Sequence, residues 1–354
     1  MKTYYEQRDL SCIKRTEEII DTLPYFVGDF FVGVEPRTSS LTRLNYAYDL
    51  RVFFHFLTKK VFRDKDLADI ELSDLAKLDS TDFEYFLSYL SRYEINGKNE
   101  RCTETGKARK LSTLRAFYKY FFNKNMLPAN TPSKVSMPKI HEKEIIRLES
   151  NDKVDEIGDM LYVVRNGAGL TKKQKAFHLA TSTRDTAIIT LFLGTGIRIS
   201  ELVGLNIEDF DFKTNSFVVT RKGGNRAVLY YNDEVLETLT DYYNQRISDK
   251  KVPTGERAFF LSLQNKRIST RTVQDLVKKY AQIISPLKKI TPHNLRSTFG
   301  TNLYRQTGDI YVVADCLGHK DVNTTKRHYA AITEDIRKKA GISMSITPNN
   351  DDNK

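Results

Sequence analysis

Apolar residues recur at helical spacing from Ser40 onward, as Leu41, Leu44, Tyr48 and then Phe53 to Leu57, and Ser39 or Ser40 can cap the start. Phe83, Phe86, Leu87 and Leu90 form a second stripe. A third runs through Leu111, Leu114, Tyr118, Phe121 and Phe122, with Arg115 and Lys119 one turn apart on its polar side. Aromatics at this spacing normally face inward, so the stripes predict packed core rather than a base-stacking surface. Upstream, Ile13, Ile19, Ile20, Leu23, Phe26, Phe30 and Phe31 predict a helix kinked or broken at Pro24. That many apolar residues must pack somewhere; the first domain is the expected place and a subunit interface the alternative. The N-terminal part thus reads as helical throughout.

Pro128, Pro132 and Pro138 fall within residues 127–143 and forbid a continuous helix, which marks a linker. Beyond it the pattern predicts helices around 154–164 and 184–193. A β stretch follows: Phe217 to Thr220, a Lys222-Gly223-Gly224-Asn225 turn, then Ala227 to Tyr231. Helices resume at about 233–247, 270–284, 292–304, 309–317 and 322–340. The polar tail ITPNNDDNK reads as disordered. The expected fold is mainly α with a small β-sheet, in two domains.

A chain of 354 residues is long enough for two domains that each bury a core. The N-terminus lacks an apolar signal core, and the longest apolar run, Ala187 to Leu193, is far too short for a membrane span. Cys12, Cys102 and Cys316 are scattered and odd in number, which suggests neither a disulfide framework nor a zinc cluster; a reducing cytoplasm fits best. A net charge of +11 points to a polyanionic partner, of which nucleic acid is the commonest. The charge is unevenly spread. Residues 1–100 are slightly acidic, whereas the stretch from Lys98 to Lys124 holds only Glu100 and Glu104 against a run of cations. Within it Lys107, Arg109, Lys110, Arg115 and Lys119 read as a phosphate-contacting face, or as an ordinary solvated helix surface.

Candidate chemistry lies in the C-terminal half. Arg198 follows the buried-looking helix AIITLFL, which stops at Gly194-Thr195-Gly196, and Glu201 is placed to orient its guanidinium. A guanidinium is a planar fork suited to two phosphate oxygens, though alone this is equally a surface Arg/Glu pair. His293 and Arg296 stand at i and i+3 on one helix face, behind Thr291 as cap and Pro292 at the first helical position. Both then converge near a helix N-terminus, a favourable place for an anion, or else form a chance pair on a capped surface helix. His319 follows a second helix stop at Leu317-Gly318, and the next helix carries Thr324, Thr325, Arg327, His328 and Tyr329. Lys222 sits in the glycine-containing turn, exposed between two strands. Taken singly, this tyrosine and this lysine are ordinary residues. Together, two arginines, two histidines, a lysine and a tyrosine are what phosphodiester cleavage by a tyrosine needs without a metal ion. The sequence has neither a phosphate-binding glycine loop nor a metal-ligand cluster, so no cofactor is expected.

The order and contexts of these residues, in GTGIRISEL, TRKGGNR, TPHNLRSTFG and LGHKDVNTTKRHY, resemble the tyrosine recombinase family, the Xer and phage-integrase group of DNA-rearranging enzymes. The resemblance is strongest from about 184 to 340. It is looser from 40 to 135, where SSLTRLNYAYDLRVFFHFL and ARKLSTLRAFYKYFF are similar to the family's core-binding domain. LPYFVGDFF and the TRKGGNR turn resemble the single-protein Xer recombinases of Gram-positive bacteria in particular. The resemblance implies an N-terminal extension over 1–36, a helical DNA-binding domain over 37–130, a linker over 131–148, a catalytic domain over 149–340 and a tail over 341–354. It further implies Tyr329 as nucleophile, Arg198 and Arg296 as holders of the phosphate oxygens, His319 as a further donor, Lys222 as general acid and His293 as the group assisting proton removal. The partner implied is double-stranded DNA with paired recombination sites, clamped between the two domains as a C and bound by a homotetramer. One spacing departs from the family: its tyrosine usually lies nine residues after the histidine of LGH, where this chain has His328, and Tyr329 comes one later.

Other readings share parts of this evidence. A type IB topoisomerase would use the same chemistry without site preference, and an inactive DNA-binding protein would bind a site without forming a covalent adduct. Among recombinases, chromosome dimer resolution, integration and excision, and inversion of a DNA segment all remain open.

Overall fold

The computed structural model describes residues 3–95, 97–140, 146–151, 154–221, 224–319 and 321–322. The chain divides into two compact units, Met1–Lys143 and Glu144–Lys354.

In the first unit, α1 (Tyr4–Ile20) starts on a reciprocal cap between Thr3 and Glu6. The chain breaks around Pro24 and resumes as α2 (Val27–Val34). Ile19, Leu23, Val27 and Phe30 join the core formed by the later helices, so the N-terminal segment is part of this unit. Ser39 caps α3 (Ser40–Phe56) and Asp79 caps α5 (Ser80–Tyr89), with the short α4 (Leu72–Leu75) between them. A hairpin then intervenes, β1 (Tyr93–Ile95) against β2 (Lys98–Glu100), where the sequence pattern predicts only helix. Its second strand, Lys-Asn-Glu, is wholly exposed, so no alternation of apolar residues announces it. The long α6 (Glu104–Asn123) closes the unit.

The three aromatic stripes meet in one core. Phe30, Phe53, Phe54, Phe83, Phe86, Phe117 and Phe121 are each almost wholly buried, and edge contacts such as Phe30–Phe117 at 5.1 Å interlock them. Burying each such ring stabilises the fold by about 1.5–3 kcal/mol. The first part of the expected linker also packs here. Arg115 donates from Nε to the Pro132 carbonyl at 3.1 Å and from Nη2 to the Val135 carbonyl at 2.6 Å, and Val135 belongs to the same core.

The second unit begins with a two-residue ladder, β3 (Ser150–Asn151) with β4 (Val154–Asp155), that leads into α7 (Glu156–Asn166). Burial opposes ionisation of the Glu156 carboxyl, but bonds from Lys288, the Glu149 amide and Ser285 outweigh it and hold its pKa below the usual range. The central helix is α8 (Lys172–Thr195), which packs against α7, α10 and α12. It begins twelve residues before the sequence-expected 184, because its first half is stabilised by polar rather than apolar contacts. There the buried His178 pairs through Nδ1 with the Tyr280 hydroxyl at 3.0 Å, and the buried Thr181 donates to Asp185 at 3.1 Å. After α9 (Ile199–Gly204) comes a three-stranded antiparallel sheet, β5 (Phe210–Asp211), β6 (Ser216–Thr220) and β7 (Arg226–Tyr230), in that order. The remaining helices are α10 (Asp233–Ser248), α11 (Thr270–Ile284), α12 (Pro292–Thr307) and α13 (Ile310–Leu317). All four match the expected positions within a few residues. The helix expected at 322–340 lies outside the described residues from 323 on.

One buried charge cluster fixes α3 to α6. Asp49 is 1% exposed and accepts from Arg109 at 2.7 Å, Lys110 at 2.9 Å and Thr113 at 2.9 Å. Removing the carboxylate leaves the Lys110 ammonium buried without a counter-charge, which typically costs about 3–5 kcal/mol. We expect Asp49→Ala to lose that much in urea unfolding of the first unit; a loss below about 1 kcal/mol would show that Lys110 escapes to water.

Candidate active site

Each site residue is presented by a local turn. The helix α8 ends at Gly196, whose φ of +61° is the left-handed value a helix stop requires. A Cβ there would also collide with Phe299 and press on Leu317. Two residues on, Arg198 caps α9. Its amide donates to Glu201 Oε2 at 3.0 Å and its Nη1 to Glu201 Oε1 at 2.8 Å. Glu201 is only 3% exposed, so the guanidinium is oriented from a buried base and is not half of a loose surface pair.

On α12 the expected cap is present. Thr291 and Asn294 satisfy each other's amides, and Pro292 occupies the first turn. His293 is exposed at the start of this helix, and Arg296 is buried one turn later. The Arg296 guanidinium donates to two carbonyls at once, Gly196 O through Nη1 and Leu317 O through Nη2. Helix α13 then stops at Gly318 (φ +60°), and the His319 amide returns to the Ala314 carbonyl at 2.9 Å.

These pieces converge on the C-terminus of α13. Its carbonyls at 316, 317 and 318 accept from Arg221 (3.4 Å), Arg296 and Arg198 (2.8 Å) respectively. Helix C-terminal carbonyls lack partners within the helix and carry partial negative charge, so guanidinium groups gather there favourably. The outcome is a cluster of fixed cations beside His319, preorganised to receive an anion. Arg198 keeps 35% of its side chain exposed, whereas Arg296 is almost closed off. Cys316 is a poor rival nucleophile, since burial and then Asp315 raise its pKa and keep it a thiol.

Arg198, Arg296 and His319 are thus brought together, with His293 on the same helix as Arg296. Lys222 and Tyr329 lie outside the described residues. Arg221 was not singled out from the sequence; a lone arginine in a basic turn carries no local signal of a partner 95 residues away.

The cations of the first unit divide. Lys119 is exposed, and Arg109 remains about half exposed while bonded to Asp49. Lys107 pairs with Glu104 at 2.8 Å. Lys110 departs from the expected phosphate-contacting face: it is buried, with its ammonium on Asp49. Arg115 departs too, its fork being occupied by the carbonyls of Pro132 and Val135.

Residues 170–335 match the phage integrase family, and residues 31–125 match the phage integrase N-terminal SAM-like domain. The tyrosine recombinase XerC of Caldanaerobacter subterraneus subsp. tengcongensis is 32% identical over 84% of this chain and 80% of its own length. XerS of Lactococcus lactis is 30% identical over 91% of this chain and 96% of its own. The chain therefore belongs to the phage integrase family, the tyrosine recombinases, and is a site-specific DNA recombinase. Its fold is also that of the XerH recombinase bound to its difH substrate, with a TM-score of 0.62 at 17% identity, covering 86% of this chain and 80% of that one.

The turn at Gly196 carries a direct test. Gly196→Ala forces a left-handed alanine into Phe299 and Leu317, which we expect to cost about 2–4 kcal/mol in denaturant unfolding of the second unit. A cost below about 1 kcal/mol would mean that α12 and α13 yield readily and do not fix the arginines.

Proposed function

We propose that the chain cuts and rejoins duplex DNA at paired recombination sites, with Tyr329 as the nucleophile. Its oxygen attacks the scissile phosphorus, a 3′-phosphotyrosyl bond forms, and the bond to the 5′ oxygen breaks. Arg198 and Arg296 hold the non-bridging oxygens as charge develops, and His319 adds a donor. Lys222 protonates the departing 5′ oxygen, and His293 assists removal of the tyrosine proton. The covalent bond conserves the phosphodiester energy, so rejoining is the same step reversed. The observation that carries this reading is the placement of the Arg198 and Arg296 guanidiniums on consecutive carbonyls, Gly318 and Leu317, next to His319. No adequate surface pair or chance HxxR would bring three separate sequence motifs to one helix end.

Tyr329 stands one residue beyond the family's usual spacing and lies outside the described residues. The exposed Tyr311 and the buried Tyr304 fit no motif of the family. Four subunits assemble on two sites of duplex DNA. Among biological tasks we favour chromosome dimer resolution in the cytoplasm, supported by similarity to XerS over nearly the whole chain. Among the described residues, no helix is long and apolar enough to cross a membrane.

The test uses fragmented host genomic DNA, denaturing capture of protein-linked ends and sequencing, with wild type beside Tyr329→Phe. We expect adducts from wild type alone, at one site near the replication terminus, with native DNA affinity of the variant within about threefold. Adducts at element ends or paired inverted repeats would replace dimer resolution with integration or inversion. Adducts from the variant would remove Tyr329 from the nucleophile's role. DNA binding without adducts from either protein would mean an inactive DNA-binding protein.

A further inference from the structure

The β6–β7 turn is closed at its stem by two backbone bonds, from the Arg221 amide to Asn225 O at 2.7 Å and from Gly224 N to Arg221 O at 3.1 Å. The Arg221 side chain leaves this turn and lies against the end of α13. Its Nη2 donates to the Cys316 carbonyl at 3.4 Å, and its guanidinium occupies the space that a side chain at Gly318 would need. Its Nε is buried and has no acceptor among the described residues. A buried donor left without an acceptor is costly, so stability of the hairpin does not by itself account for this placement.

We infer that Arg221 is a positioning residue for proton delivery: it ties the turn that carries Lys222 to the helix end that precedes His319. Lys222 is the next residue in the chain after Arg221, whose guanidinium lies on the same helix end that Arg198 and Arg296 hold. A general acid contributes only if it meets the leaving oxygen in the geometry of the transition state. Arg221 supplies that registration without touching the phosphate. A lysine in its place keeps the charge but lacks the flat fork that packs on Gly318. The inference rests on the reading of Lys222 as general acid, and the experiment separates the two.

Cleavage is measured in single turnover on suicide duplexes carrying the captured site, with either an ordinary scissile phosphate or one whose 5′-bridging oxygen is sulfur. In the ordinary substrate the P–O5′ bond breaks and the oxygen must take a proton. In the sulfur substrate the P–S5′ bond breaks and the thiolate leaves without one, because a thiol is far more acidic than an alcohol. We expect Arg221→Ala to cleave the ordinary duplex about 10²-fold more slowly, in the range a displaced general acid costs, and the sulfur duplex within about threefold of wild type. Arg221→Lys should fall between, and DNA affinity of both variants should stay within about threefold. Lys222→Ala is the control and should show the same rescue. If Lys222→Ala is rescued and Arg221→Ala is equally slow on both duplexes, Arg221 acts on the phosphate or only on folding, and the inference fails. Wild-type cleavage of the ordinary duplex by Arg221→Ala also overturns it. If Lys222→Ala is not rescued, the general-acid reading of Lys222 fails and the inference falls with it.

Discussion

Arg296 lies inside the catalytic unit with its guanidinium between two backbone carbonyls, Gly196 at the end of α8 and Leu317 at the end of α13. Both carbonyls are orphans of a helix terminus, and both sit at the negative end of a helix. A single buried cation thereby satisfies two helix ends and joins them to a third helix, α12, that carries it. The turn after Gly196 sets where Arg198 emerges, and the turn after Leu317 sets where His319 emerges. The geometry of the site therefore depends on this one fork. A lysine could bond to one carbonyl but could not span both in a fixed plane.

The chemistry follows from that arrangement. Charge-assisted bonds hold Arg296 and Arg198 in place, so in the proposed reaction little reorganisation remains for the moment when charge develops on the phosphate. Glu201, buried under Arg198, orients one guanidinium while leaving part of it open to the surface. Arg296 in addition ties helix ends together, while Arg198 keeps about a third of its side chain open to the surface. In the first unit the same economy of buried charge appears at Asp49, which holds cations from α6 against α3. There the result is a rigid helical body with fewer outward cations than its sequence suggests.

Much of this was legible because caps and stops are local. Ser39 and Thr291 each act within three residues of themselves, and Gly196 and Gly318 end their helices where the apolar runs end. The HxxR pair needed only helical spacing to be placed on one helix. Long-range partners were not legible. Lys110 reads as one more cation in a basic stretch until Asp49, 61 residues earlier, is found beside it. The N-terminal half of α8 is not legible because His178 on Tyr280 and Thr181 on Asp185, rather than an apolar stripe, hold it. The β1–β2 hairpin was missed because its polar strand has no alternation to read. Arg221 became visible only when its helix-end partner was brought to it by the fold.

Arg296 holds two helix ends in register, and the decisive experiment is hydrogen exchange of Arg296→Ala beside wild type. We expect amides of residues 197–204 and 314–319 to exchange at least about tenfold faster in the variant, while α7, α10 and the first unit keep their protection within about twofold. Unchanged protection in both helix-end segments would contradict it, since the site would then stand without the fork that is said to build it.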